Sequence, residues 1–361
     1  MMIPIALAGL ILGCSASPAV RVETVTETHT VTVLHGATNV PNFASQDFPT
    51  SAVHNPNPGV NPNQLPEPDA PPMAMMMRRD HHVHRSPAKK QTGNGGPSHS
   101  VYEIVYSPYN DNKSCKDANT VRNDLHLIKS KNIKSIRVYS TDCGSLDHVV
   151  PVARELGMTV SQGLWFGSKG VTAMDPQVDD LLAFTSKHGW DGFSSLVIGN
   201  EGVLAGFVRA DDLLDKARGI KNRVRQAGFN GNVMTAEPPG VYIDNPQLCN
   251  TDVFDQVGIN AHPYFNPGSS AQTSGSFIQG QISVTKQHCP NKQVYITETG
   301  YPSKGQANGA NVPSKDNQRT AIYQIIDVLE GNGTFLSTFD DFWKEPGPQG
   351  IEQYFGIIDL L

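Results

Sequence analysis

From Val101 onward, short apolar runs recur along the chain, and the segments between them carry apolar residues at helical spacing. The runs fall at 102–106, 135–139, 159–165, 196–199, 233–236, 256–260, 294–297 and 338–342. Helical spacing marks 117–130, where Val121, Leu125 and Ile128 share one face, and also 178–188, 211–227 and 316–330. This alternation is the strongest constraint on the fold. A strand can pair in parallel with the next one only if a helix-length crossover joins them. Eight such strands in about 260 residues match the size of a (β/α)8 barrel. The competing arrangement is a doubly wound sheet, and it is disfavoured because Pro108-Tyr109-Asn110 follows the first run in place of a phosphate-binding glycine turn. The predicted fold class is therefore α/β, a (β/α)8 TIM barrel over residues 101–361. The end of the chain is irregular. After Phe342-Trp343 and the loop Glu345-Pro346-Gly347-Pro348, only residues 351–361 remain. That leaves little room for a full eighth helix: either a short segment closes the barrel or the chain is truncated.

The N-terminal third reads differently. The run from Met1 to Cys14 is too short to span a bilayer but fits the core of a signal peptide, although no Lys or Arg precedes it. Cleavage is expected after Ala16, giving a 1–16 signal; Ile11-Leu12-Gly13-Cys14 also loosely resembles a bacterial lipoprotein box. Residues 17–100 pass from a Thr/Val-rich stretch to Asn/Pro repeats, then to Pro-rich and Gly/Ser/Pro sequence, without a sustained apolar face. They are expected to form a disordered linker. Within it, His81-His82-Val83-His84 among three arginines reads as a solvated linker ahead of a metal or anionic-polymer site, and Arg78-Arg79 as a candidate processing site. No apolar tail closes the chain, which argues against a C-terminal glycolipid anchor. The location expected from these features is secreted or extracellular. The net charge of −6 and pI near 6.0 provide no basic face for nucleic acid. Once the signal has gone, Cys115, Cys143, Cys249 and Cys289 remain, an even set that suits two disulfides. Three connectivities are open, and Cys115–Cys143 with Cys249–Cys289 are the pairs that lie close in a barrel. Asn112 and Asn332 begin N-glycosylation sequons. No metal and no organic cofactor is implied, and oligomeric state is not legible.

Two acidic residues terminate apolar runs: Leu196-Val197-Ile198-Gly199-Asn200-Glu201 and Val294-Tyr295-Ile296-Thr297-Glu298. An ionised carboxylate resists burial, so an acid at the end of a buried strand calls for a reason. Capping a helix or pairing with a base is the ordinary one. Two of them, 97 positions apart, meet the requirement of glycoside cleavage: one carboxyl to donate a proton and one carboxylate to act as nucleophile or base. In a barrel, both would end strands at the C-terminal face, where active sites lie. Other strand ends carry Tyr106, Arg137, Tyr139, Trp165, Glu237, His262, Tyr264, Asp341 and Trp343. Aromatic platforms with scattered polar groups suit sugar rings better than phosphates.

The two acidic segments, read with Thr299-Gly300-Tyr301-Pro302-Ser303 after the second, resemble the signature segments of glycoside hydrolase family 17, the β-1,3-glucanases and glucanosyltransferases. The stretches 106–110, 114–115, 136–143, 260–264 and 339–344 resemble its fungal cell-wall branch, so the likeness covers 101–355. It implies a retaining enzyme on a (β/α)8 barrel, with Glu298 as nucleophile and Glu201 as general acid/base. Retention requires the two carboxyls to stand about 5–5.5 Å apart. Asn200 is expected on the sugar 2-hydroxyl, Tyr264 on Glu298, and Arg137 close enough to lower the Glu298 pKa. Tyr139, Tyr301 and Trp343 complete the expected substrate contacts; Tyr301 stands where many members carry Trp. The implied partner is β-1,3-glucan, cleaved internally during wall remodelling. Glucanosyl transfer by the same carboxyls, or a catalytically weak wall-binding protein, stand as alternatives.

Overall fold

The computed structural model describes residues 100–249 and 252–361. The expected signal peptide, the linker with its histidines, and the candidate processing site lie outside the described residues. Eight parallel strands follow one another: β1 (Glu103–Val105), β2 (Ser135–Val138), β3 (Thr159–Leu164), β4 (Phe193–Asn200), β5 (Asn232–Glu237), β6 (Gln256–Asn260), β7 (Gln293–Glu298) and β8 (Thr334–Phe335). From β1 to β7 each strand pairs with the next, and β8 pairs with β1. A parallel bridge from Thr299 to Phe335 joins the end of β7 to β8 and completes the ring. This is the expected (β/α)8 barrel.

The crossovers are the helices α1 (Ala118–Ser130), α2 (Val150–Glu155), α3 (Asp175–His188), α4 (Ala210–Gln226), α5 (Pro239–Asp244), α6 (Ser274–His288) and α7 (Lys315–Leu329). Helix α1 starts where Asp117 accepts the N–H groups of Asn119 and Thr120, both at 2.9 Å, and it buries Val121, Leu125 and Ile128, the face read from spacing. Ser314 caps α7 in the same way. Alternate strand residues such as Ile104, Ile136, Leu196, Val233 and Ile296 share one core with the apolar faces of the helices. Residues on the opposite faces of the strands form the inner layer. It combines an apolar cluster of Val197, Met234 and Ala236 with buried polar pairs: the Ser161 and Ser195 hydroxyls lie 2.7 Å apart, and Glu103 accepts from Ser135 and Thr334.

The eighth strand is not the expected 338–342 but Thr334–Phe335. Only two residues pair, both buried, directly after Gly331-Asn332-Gly333, so no apolar run announces them. Residues 338–342 continue past the strand as a loop over the C-terminal face. In place of an eighth helix, a short turn, Ile358–Leu360, lies between α1 and α7: Lys131 donates to the Leu361 carbonyl at 2.8 Å and Tyr323 to that of Leu360 at 2.9 Å. Disulfides join Cys115 to Cys143 and Cys249 to Cys289. The first ties the β1–α1 loop to the chain after β2. Asn112 and Asn332 are both exposed. Among the described residues no helix is long and apolar enough to cross a membrane.

Candidate active site

Strand β4 ends in a backbone arrangement that few sequences tolerate. Gly199 has φ +78° and Glu201 φ +53°, both left-handed, a region that costs a residue with a side chain roughly 1–3 kcal/mol. The pairing with β5 shifts register between Val197 and Asn200. Such a bulge turns the side chains that follow it, and here it aims Asn200 and Glu201 over the barrel mouth. The Glu201 N–H is fixed on the Ala236 carbonyl at 2.7 Å. The ring of Phe166 lies against the same turn. A β-carbon at Gly202 would come within 2.3 Å of it, and one at Gly199 within 2.6 Å. Gly202→Ala is therefore expected to lower stability by about 1–3 kcal/mol and to reduce activity by displacing Glu201. Thermal unfolding alongside kcat/KM tests this, and an unchanged Tm would show that Phe166 moves aside freely.

Glu298 ends β7 opposite Asn260 of β6, again beside a register shift. The two strand ends are linked by one ring of buried hydrogen bonds. Arg137 donates from Nη2 to Asn200 Oδ1 at 2.9 Å and from Nη1 to the Thr297 carbonyl at 2.5 Å. Thr297 Oγ1 donates to Asn260 Oδ1 at 2.9 Å, and Asn260 Nδ2 donates to Asn200 Oδ1 at 3.0 Å. The two carboxyls attach to this ring at different places. Asn260 Nδ2 also donates to Glu201 Oε1 at 2.9 Å, whereas Arg137 Nη1 stands 3.5 Å from Glu298 Oε2. Glu298 further takes the Tyr139 hydroxyl on Oε2 and lies 3.2 Å from His262 Nε2 on Oε1.

The surroundings push the two carboxyls apart in acidity. Burial, then repulsion from Glu298, raises Glu201 to about 8 against the smaller opposing effects of Asn260 and Arg137. Burial works against ionising Glu298 too. There, the His262 hydrogen bond and charge, the Arg137 cation and the Tyr139 hydroxyl together prevail and hold it at about 2. Burial first, then Glu298, raises Tyr139 well above the ordinary phenol value, so its hydroxyl remains a donor. One acid is thus kept protonated and the other ionised, the division of labour that acid-assisted displacement at an acetal carbon demands. Two further buried carboxyls stand near. Glu237, ending β5, and Glu352, in the loop after β8, are each raised to about 8, foremost by burial, and each also feels the charge of Glu201. Among the described residues there is no group of three or more His, Cys, Asp or Glu placed to hold a metal ion.

The family model described as the BtgE/BtgC glycoside hydrolase domain matches residues 104–356, most of the chain and all of the groups just described. The chain belongs to the BtgE/BtgC glycoside hydrolase family. It is 38% identical over 259 residues to the probable β-glucosidase btgE of Aspergillus fumigatus, covering 72% of this chain and 45% of that protein. It is 35% identical over 257 residues to the probable family 17 glucosidase SCW10 of Saccharomyces cerevisiae, covering 71% and 64%. The chain thus spans about half the length of the btgE relatives it matches. The barrel resembles the solved glycoside hydrolase family 17 β-1,3-glucanosyltransferase of Rhizomucor miehei, with TM-score 0.62 at 22% identity over 73% of this chain and 95% of that one. An endo-laminarinase from Formosa has the same fold, with TM-score 0.59 at 17% identity over 73% and 84%. The family 17 resemblance read from the sequence is borne out.

In this BtgE/BtgC domain Arg137, Tyr139, Asn200, Glu201 and Glu298 converge as described. Tyr264 does not take its expected place on Glu298. Its hydroxyl donates to the Gln306 carbonyl at 2.7 Å, and its ring meets Tyr301 edge-on at 6.4 Å. Tyr139 supplies the hydroxyl instead, because it extends from β2, next to Arg137. Tyr264 and Tyr301 are both fully buried and pack against each other. Trp343 is 4% exposed; its indole N–H donates to Asp341 at 3.0 Å and its ring packs on Tyr109 at 4.7 Å. The sequence reading places His262 at a strand end and Asn260 in the 260–264 stretch without giving either a role, and it passes over Glu352. Asn260 and His262 end β6 much as Asn200 and Glu201 end β4, a parallel visible in the sequence. Glu352 sits in a loop with no periodic signal.

Proposed function

We propose that the domain is a retaining glycoside hydrolase that cleaves β-1,3-glucan internally. The observation that carries this is the single hydrogen-bonded ring holding Glu201, kept protonated, and Glu298, kept ionised. In the first step Glu298 attacks the anomeric carbon as the glycosidic bond breaks, and Glu201 gives its proton to the departing oxygen. This leaves a glycosyl ester on Glu298. In the second step Glu201, now anionic, takes a proton from water, whose oxygen displaces Glu298 and restores the original configuration. Asn200 Oδ1 is already occupied by two protein donors, so its amide NH2 is the part that serves the 2-hydroxyl of the reacting sugar. Tyr139, whose hydroxyl meets Glu298, and Trp343 are the aromatic groups assigned to the sugar, whereas Tyr264 and Tyr301 pack on each other.

A glucan hydroxyl in place of water would make the same domain a glucanosyltransferase, and the likeness to a β-1,3-glucanosyltransferase barrel favours keeping that reading. Relatives named probable β-glucosidases point to removal of single end residues. A β-1,3-glucan oligosaccharide labelled at its reducing end separates these. Internal fragments support the endo-hydrolase, stepwise glucose an exo-acting enzyme, and products longer than the starting sugar a transferase. No change with folded protein overturns all three. The two disulfides fit an oxidising, extracellular setting, and a cell-wall location follows from the proposed substrate.

The pH dependence has a defined sign. Activity requires Glu298 ionised, hence pH above about 2, and Glu201 protonated, hence pH below about 8. The kcat/KM profile is expected to be level through mildly acidic pH and to fall tenfold per unit on the alkaline side. Loss of activity on acidification toward pH 5 in folded protein would count against it.

A further inference from the structure

Glu237 ends β5 just as Glu201 and Glu298 end β4 and β7, it is fully buried, and the chemistry above does not use it. Its carboxyl reaches across to the chain that follows Glu201. Oε1 accepts the Val203 N–H at 2.8 Å and Oε2 that of Leu204 at 3.2 Å, and the Gly202 N–H acts on the same group. These are the first N–H groups of a helical turn. Its later donors are satisfied from within: Ala205 N–H on the Glu201 carbonyl at 2.9 Å and Phe207 N–H on that of Gly202 at 3.0 Å. The opening N–H groups of such a turn have no internal partner and must be met from outside. A Ser or Thr would meet one of them; a carboxyl spans several.

The residue whose conformation this turn sets is Glu201. Its left-handed backbone persists only where its surroundings hold it on both sides. Before it, its own N–H is held by Ala236; after it, the turn is held by Glu237, the very next residue of β5. Both holds come from one strand end. We propose that Glu237 is a positioning residue for the general acid/base: by clamping the 202–204 turn it fixes the backbone that aims the Glu201 carboxyl at the glycosidic oxygen. The inference rests on the acid/base reading of Glu201 given above.

Leaving-group dependence tests it on the full chain. A β-1,3-glucan oligosaccharide needs a proton on its departing oxygen; a 2,4-dinitrophenyl β-laminaribioside does not, and kcat/KM for each reports the glycosylation step alone. Glu237→Gln keeps one acceptor and the side-chain volume. It is expected to lose roughly 10- to 100-fold on the oligosaccharide, the scale of a slightly misplaced catalytic group, while staying within about threefold of the parent on the aryl substrate. In a Glu201→Gln background it should add no further loss on either. Equal losses on both substrates, or none on either, would overturn the proposal, since general damage to the barrel does not distinguish leaving groups. Glu201→Gln alone serves as the control. If it fails to show the same selective loss, the acid/base assignment falls and this inference with it; if it shows the loss and Glu237→Gln does not, only the inference falls.

Discussion

Replacing Glu298 by Gln is expected to abolish turnover almost completely, by roughly 10⁴- to 10⁶-fold in kcat, the range seen when a nucleophile is removed from a pre-assembled site. Two losses combine. The amide has no charge with which to attack the anomeric carbon. It also offers one oxygen where the carboxylate offers two, so the Tyr139 hydroxyl and the His262 ring nitrogen cannot both keep an acceptor. Glu298→Ala carries the sharper test. It opens room for a small anion beneath the sugar, and added azide should restore turnover of an aryl β-glucoside, producing the glycosyl azide of inverted configuration. A product of retained configuration would argue that some other group attacks, and full activity in Glu298→Gln would remove the nucleophile assignment altogether.

How far such a site can be read in advance depends on what kind of information places each residue. The barrel was legible because its signal is local and repeated: apolar runs separated by segments of helical spacing. β8 was not, because closing the ring takes only Thr334 and Phe335 plus one bridge to Thr299. The demand for that strand comes from β1 and β7, not from its own residues. Glu201 and Glu298 stood out because each is a costly group at the end of a buried run. Their partners were harder to assign. Tyr264 is the residue expected on Glu298 and Tyr139 only a substrate contact, yet Tyr139 takes that place; which tyrosine reaches the carboxylate depends on the direction each side chain leaves the sheet. The register shifts at Asn200 and Asn260 leave no mark in composition, yet they orient the Asn200–Asn260–Thr297 part of the ring. Glu352 was hidden because the loop that buries it has no periodicity.

Arg137→Met is expected to move both limbs of the pH profile to higher pH, at a substantial cost in stability. The guanidinium is 1% exposed, binds the Thr297 carbonyl and Asn200, and lies over the Tyr139 ring at 4.6 Å. Methionine replaces much of its volume but none of its donors or its charge. Breaking a buried ionic contact from one side typically costs about 3–5 kcal/mol, and here Glu298 and Asn200 each lose one of several partners while the Thr297 carbonyl loses its guanidinium donor. The direction of the pH effect follows from the charge. Arg137 lowers the pKa of Glu298 and also that of Glu201. Without it both rise, so Glu298 loses its charge at a higher pH on the acid side, and Glu201 keeps its proton to a higher pH on the alkaline side. The acid limb, lying near pH 2 in the parent, should move into a range where it can be followed. Stability obeys the same sign. A carboxyl whose folded pKa is depressed stabilises the protein above its unfolded value and ceases to do so as pH falls through the folded one. Raising the folded value shrinks that contribution and brings acid unfolding to higher pH. Paired measurements of kcat/KM and Tm between pH 3 and pH 9 decide the matter. Limbs moving in opposite directions, or an acid limb that stays in place, would mean that His262 and Tyr139 alone hold Glu298 ionised and that Arg137 serves only to brace the hydrogen-bond ring.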